Sequence, residues 1–111
     1  MPVDEYSLRH YVTANGKRPF AALCSLADRN AAARVQIRLE RLRLGNFGDV
    51  RPLGKGLSEL RVDVGPGYRV YFIVEGHSIV VLLCGGDKAT QQKDIRRARE
   101  YLADYRRRPD A

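Results

Sequence analysis

The chain has 111 residues, 44% of them hydrophobic and 30% charged, which fits one domain at ~100–200 residues each and excludes a second folded domain. Twenty Lys and Arg against thirteen Asp and Glu leave a net charge of +7, a field that attracts acidic protein or nucleic acid over a Debye length of about 10 Å. Cys24 and Cys84 fit no CxxC or Cys/His spacing, so neither a disulfide framework nor a zinc site is indicated, and two reduced thiols with no metal or cofactor are expected.

The start MPVDEYSLRHYV is acidic where a secretory signal is basic and apolar, and no later run approaches ~18 apolar residues. A cytoplasmic protein without membrane contact is expected. Val3, Tyr6, Leu8 and Val12 among polar neighbours predict a first strand, ended by the turn pair Asn15-Gly16.

From Pro19 to Leu44 the residues are strong helix formers, with Gly45-Asn46 as a stop signal. Two helices are predicted, broken near Asp28-Arg29-Asn30, where Asp28 or Asn30 can cap the second. Val35, Leu39 and Leu42 form its core stripe, and Arg34, Arg38 and Arg41 repeat the same spacing farther around. That arginine edge is either a solvated face or an anion-binding one.

In Leu57–Val64 apolar Leu60, Val62 and Val64 alternate with Glu59, Arg61 and Asp63, the period of a half-buried strand. Gly65-Pro66-Gly67 supplies a turn, and Tyr68–Val74 is β-branched and aromatic, so a hairpin is predicted. After a second turn at Glu75-Gly76-His77-Ser78, the run Ile79–Cys84 is apolar on both faces, as in a central strand. Thr90 to Tyr105 places Ile95, Ala98, Leu102 and Tyr105 on one helical face. The order is β-α-α-β-β-β-α in one α+β domain, residues 1–105, followed by a flexible basic tail, residues 106–111.

A three-residue loop at 65–67 sets Val64 opposite Tyr68, Asp63 opposite Arg69 and Arg61 opposite Tyr71. Placing Val74 opposite Ile79 brings Leu82 beside Tyr71 and Cys84 beside Arg69. Glu59, Arg61, Asp63, Arg69, Tyr71 and Lys88 then share one surface, whose alternative use is plain cross-strand ion pairing of Asp63 with Arg69. Guanidinium groups bind phosphate in a bidentate way and a ring stacks on an unpaired base, so the set suits RNA. Cutting RNA through its 2′-OH needs a base, cations for the charge growing on phosphorus and an acid for the leaving oxygen. Arg61, Arg69 and Lys88 suit the middle role; Glu59, Asp63 and Asp87 are candidate bases, and Tyr71 or Lys88 candidate acids. His10 and His77 have no partner spacing and are read as surface residues. Gly85-Gly86-Asp87-Lys88 before a helix lacks the GxxxxGK[ST] pattern, which leaves it as a backbone N–H cluster for an RNA phosphate.

GNFGD at 45–49, GKGLSELRVDVGPGYRVYF from Gly54 and LLCGGDKATQQKDIRRA from Leu82 resemble the RelE/ParE superfamily of type II toxins. The likeness is greatest to its HigB-like addiction module killer proteins. The resemblance implies a bacterial toxin with a curved, mainly antiparallel sheet and two helices on one side. A helix-turn-helix antitoxin would neutralise it and supply the contact with operator DNA. It also implies metal-independent cleavage of mRNA on the ribosome, with Arg61, Arg69 and Lys88 as the matching catalytic cations. Arg34, Arg38, Arg41 and Lys55 would be the cations for RNA or ribosome. RNA-cutting members often carry a Tyr or His near the chain end, where this chain has Gln91 and Asp94 instead; these join Glu59, Tyr71 and Asp87 as acid–base candidates. ParE-type members inhibit DNA gyrase on the same fold, and an inert antitoxin-binding homologue is a third possibility.

Overall fold

The computed structural model describes residues 5–24, 26 and 28–108. Its elements are β1 (Ser7–His10), α1 (Ala21–Cys24), α2 (Arg29–Arg43), β2 (Val50–Gly54), β3 (Leu57–Val62), β4 (Tyr68–Glu75), β5 (Ile79–Asp87), a 3-10 turn (Lys88–Thr90) and α3 (Gln91–Arg107). They form one mixed five-stranded sheet in the order β1-β5-β4-β3-β2, in which β1 runs parallel to β5 and the other pairs are antiparallel. Val3 of the expected first strand lies outside the described residues.

Alternation along the strands divides the core in two. Leu60, Val62, Val70, Phe72, Val80 and Leu82 face α1 and α2, meeting Phe20, Leu23, Val35, Leu39 and Leu42. Leu57, Tyr71, Ile73, Val81, Leu83 and Cys84 face the other way, onto Ala98, Leu102 and Tyr105 of α3. Two helices therefore share one side, and α3 covers the opposite face. Full burial of each Leu, Val or Phe here stabilises by about 1.5–3 kcal/mol, so both layers hold the sheet.

Asp28 is the cap of α2: its Oδ1 accepts the N–H of Asn30 at 3.0 Å and of Ala31 at 3.1 Å. The first predicted helix shrinks to the single turn of α1. A fifth strand, β2, was not expected. Pro52 masks it in the sequence, and its edge position explains the proline, because an edge strand tolerates a residue with no N–H to give. Lys55 and Gly56, with φ of 56° and 87°, form the two-residue turn into β3.

The loop between β3 and β4 spans residues 63–67, since the last pair is Val62 with Tyr68. The expected register is thereby corrected by two residues: Arg61 stands opposite Arg69 and Glu59 opposite Tyr71. A slip of two preserves the face of every side chain. Asp63 sits exposed in the loop and pairs with no residue of β4. On the other side of β4 a bulge intervenes. Phe72 pairs with Leu82 but Tyr71 with Cys84 and Arg69 with Gly86, so Leu82 is not beside Tyr71, nor Cys84 beside Arg69. The extra residue turns both Leu83 and Cys84 toward α3.

α3 runs past Tyr105. Arg106 Nη2 donates to Lys55 O at 3.0 Å, and Arg108 Nη2 donates to Val12 O at 2.6 Å. Arg106 and Arg107 form the last turn of α3 and Arg108 is its C-cap; residues 109–111 of the expected tail lie outside the described ones. Among the described residues no helix is long and apolar enough to cross a membrane.

Candidate functional site

Residue 59 is a carboxylate pointing into the layer between the sheet and α3, a position the strand period would reserve for an apolar side chain. Glu59 is fully buried. Such a charge survives only if its oxygens are satisfied, and four neighbours do so. Tyr71 Oη donates to its Oε2 at 3.0 Å from across the β3–β4 pair, and Gln91 Nε2 donates to the same oxygen at 2.9 Å from the first turn of α3. Oε1 faces Arg61 Nε at 3.4 Å and Arg69 Nη1 at 3.6 Å.

Burial pushes the Glu59 carboxyl upward, but Gln91, Tyr71, the Arg69 charge and Arg61 together outweigh it and hold the group below the ordinary glutamate range. It is ionised at neutral pH. Tyr71 moves the opposite way: burial first, then the charge and hydrogen bond of Glu59, keep its phenol protonated far above its usual range. Both are shielded from solvent, so neither can touch a substrate, and their work is to fix the arginines.

The arginines differ in access. Arg61 has 38% of its side chain exposed, Arg69 only 12%. Arg69 Nε and Nη1 are buried without a hydrogen-bond partner. A shallow pocket of about 260 Å³ opens beside both, walled also by Asp49, Asp63, Gly67 and Tyr68. Lys88 is exposed, and its backbone N–H donates to Gly67 O at 2.8 Å. That bond draws the start of the 3-10 turn against the β3–β4 loop, at the same end of the sheet.

Gly85 and Gly86 belong to β5, not to a phosphate loop. A Cβ on Gly85 would stand 2.6 Å from Leu23 Cδ2, and one on Gly86 only 1.9 Å from Asp94 Oδ2. The glycine pair thus admits α1 on one face and α3 on the other. Of the segment read as an anion cradle, the Lys88 N–H is taken by Gly67 O, and the N–H groups that follow, of Ala89 and Thr90, are taken by Asp87 Oδ1 at 2.9 and 3.2 Å. Asp87 is accordingly a cap. Asp94, 3% exposed, accepts from Thr90 Oγ1 and faces Arg97 at 3.6 Å, so it anchors the start of α3.

Arg34 and Arg41 are exposed on α2, whereas Arg38 is spent on structure. It donates to Arg61 O at 3.0 Å and to Phe47 O at 3.3 Å. These three lie behind the sheet relative to Glu59, and Lys55 is at the β2–β3 turn, so the structure separates them from the arginine pair. His77 is exposed in the last turn. His10 is half-buried against Phe20, contrary to the surface expectation, and burial, then Arg18, lowers its pKa. Burial raises the Cys84 thiol to about 12, which makes it inert as a nucleophile. Sequence reasoning missed Thr90 and Arg97, the partners of Asp94. Their i, i+4 and i, i+3 spacing to that residue was the available signal.

A protein of Haemophilus influenzae, described as uncharacterized, is 48% identical to this chain over 77 residues, which cover 69% of the chain and 78% of that protein. The family of phage-derived proteins described as Gp49-like (DUF891) matches residues 26–103, a span holding Glu59, both arginines, Lys88 and Gln91. The chain belongs to the Gp49-like family of phage-derived proteins, a family associated with toxin–antitoxin systems.

Proposed function

We propose that this protein is the toxin of a toxin–antitoxin pair of the RelE/ParE superfamily, HigB-like in kind, and that it stops translation by cleaving mRNA on the ribosome. The observation that carries this reading is the arginine pair. Arg61 and Arg69 face each other across two strands with the buried Glu59 carboxylate between them, and both side chains, 38% and 12% exposed, line an open pocket. Two guanidinium groups at the mouth of an open pocket suit a phosphodiester whose charge rises in the transition state.

In that reaction the 2′-OH attacks phosphorus, its proton leaves, and the 5′ oxygen departs with a proton. Arg61 and Arg69 stabilise the phosphorane oxygens. Lys88, exposed at the same end of the sheet, is the group placed to protonate the leaving oxygen. Glu59, Tyr71 and Gln91 are positioning residues, since burial keeps the first two from the substrate. Asp87 and Asp94 hold backbone and helix, which removes them from proton transfer. Asp63, exposed in the wall of the pocket beside both arginines, is the remaining candidate base for the 2′-OH. In the cytoplasm the partners are a helix-turn-helix antitoxin, through which operator DNA is contacted, and the ribosome with its message.

Primer extension on mRNA after brief induction of the toxin alone tests this. Cuts within translated codons are expected for the wild type and a drop of at least 10²-fold for Arg69→Ala, the size seen when one oxyanion donor is lost. Intact message with arrested growth would move the target to gyrase, and no growth defect would mark an inert antitoxin-binding homologue.

A further inference from the structure

On the face of the molecule away from Glu59, α2 and the end of β3 enclose a groove of about 400 Å³, lined by Arg34, Ile37, Arg38, Arg41, Val62, Asp63 and Val64. We propose that this groove is the docking site for an acidic amphipathic helix of a partner protein. The groove adjoins the arginine pocket, sharing Val62 and Asp63 with it, but contains neither Arg61 nor Arg69 among its lining residues, and the inference does not depend on RNA cleavage.

The apolar content is the first argument. Ile37 is 49% exposed, one of three exposed large hydrophobic side chains among the described residues, and it lines the groove together with Val62 and Val64. Leaving it in water forfeits burial that a partner side chain would recover. Charge complementarity is the second. Arg34 and Arg41 flank Ile37 and form no ion pair among the described residues. Their spacing of i, i+3, i+7 makes a straight seam along α2, the geometry that accepts a second helix with an aliphatic ridge and carboxylates on either side. The third is rigidity. Arg38 ties the groove floor to Arg61 O and Phe47 O, so the surface is preformed and a partner need not order it. RNA is the weaker occupant, because phosphates would pair with Arg34 and Arg41 and leave Ile37 in water.

The test uses the full chain and three probes. One is a peptide of about 16 residues with Leu on one helical face and Glu beside it; the second has every Leu replaced by Ser; the third is an oligouridylate of equal charge. Binding is read by fluorescence anisotropy and located by amide shift changes. The Leu peptide should perturb residues 34–41 and 62–64, and Ile37→Glu or the pair Arg34→Glu/Arg41→Glu should weaken it at least tenfold. The Ser peptide should bind at least tenfold more weakly, and Arg69→Ala should leave peptide affinity unchanged. Ile37→Ser, which adds no charge at this exposed site, should weaken binding in the same sense. Absence of binding overturns the proposal, as does equal binding of the Leu and Ser peptides. Oligouridylate binding that needs Arg34 and Arg41 but not Ile37 would make the groove an RNA surface. The mRNA cuts of Ile37→Glu, expressed alone, should match wild type whichever way the peptide result falls.

Discussion

Arg61 stands directly opposite Arg69 on adjacent antiparallel strands, and Glu59 Oε1 is the atom between them, 3.4 Å from one guanidinium and 3.6 Å from the other. Like charges opposed across a sheet destabilise it, so the carboxylate is the condition for keeping both cations. Glu59→Gln keeps the shape and removes the charge. The partly exposed Arg61 retains its hydration, but Arg69 is left buried without a counter-ion, which costs up to 3–5 kcal/mol for a fully buried pair and about 2–3 here. Denaturant unfolding should show that loss, and a midpoint equal to wild type would refute the role given to Glu59.

The same carboxylate sets an acid limit on stability. Its folded pKa is depressed, so its contribution is fully present above the unfolded value of about 4.3 and is lost as pH falls through the folded one. Asp104, held down mainly by Arg108 and then Tyr11, has the same sign. Melting temperature should therefore be flat from about pH 5 upward with respect to these groups and fall below about pH 4. In Glu59→Gln that fall should be shallower; an identical acid limb would mean that Glu59 titrates alike in both states.

Tyr71 offers a way to separate positioning from chemistry. A phenol with no solvent access and a raised pKa is not a proton donor to RNA, yet its hydrogen bond helps hold Glu59. Tyr71→Phe leaves one Glu59 lone pair unmet at a cost of about 1–2 kcal/mol. Cleavage should persist within roughly tenfold of wild type, with an unchanged pH profile, whereas a general acid would contribute about 10²–10⁴. A loss in that range would return Tyr71 to the reacting atoms.

What the sequence disclosed follows the range of the interactions involved. The α2 stripe, the Asp28 cap and the alternation of β3 are local, and each is visible in spacing alone. The face shared by Glu59, Arg61, Arg69 and Tyr71 was also legible, because a register error of two leaves side-chain parity intact. The partner of Arg69 was not legible: loop length decides whether Asp63 or Glu59 meets it, and Gly65-Pro66-Gly67 hides the two preceding residues that also belong to the loop. The bulge at Leu83 is a compromise between β4 and the α3 face, with no mark in an apolar run. α3 had a clear apolar stripe but no sign of which face of the sheet it would cover.

Gly86 gives the sharpest steric prediction. A Cβ there would fall 1.9 Å from Asp94 Oδ2 and 2.8 Å from its carboxyl carbon, and Asp94 cannot swing away freely because it is buried and bonded to Thr90. In Gly86→Ala the first turn of α3 must lift from β5, and Gln91, which rides on that turn, must withdraw from Glu59. Strain and lost packing together should cost about 2–3 kcal/mol. Gly76→Ala is the control, since its added Cβ would meet nothing within 4 Å; with φ at +62° it pays only for backbone conformation, about 1 kcal/mol. Hydrogen exchange should show faster opening across residues 88–94 in Gly86→Ala and not in Gly76→Ala. Equal protection in both would mean that α3 does not depend on the close approach of Asp94 to the strand.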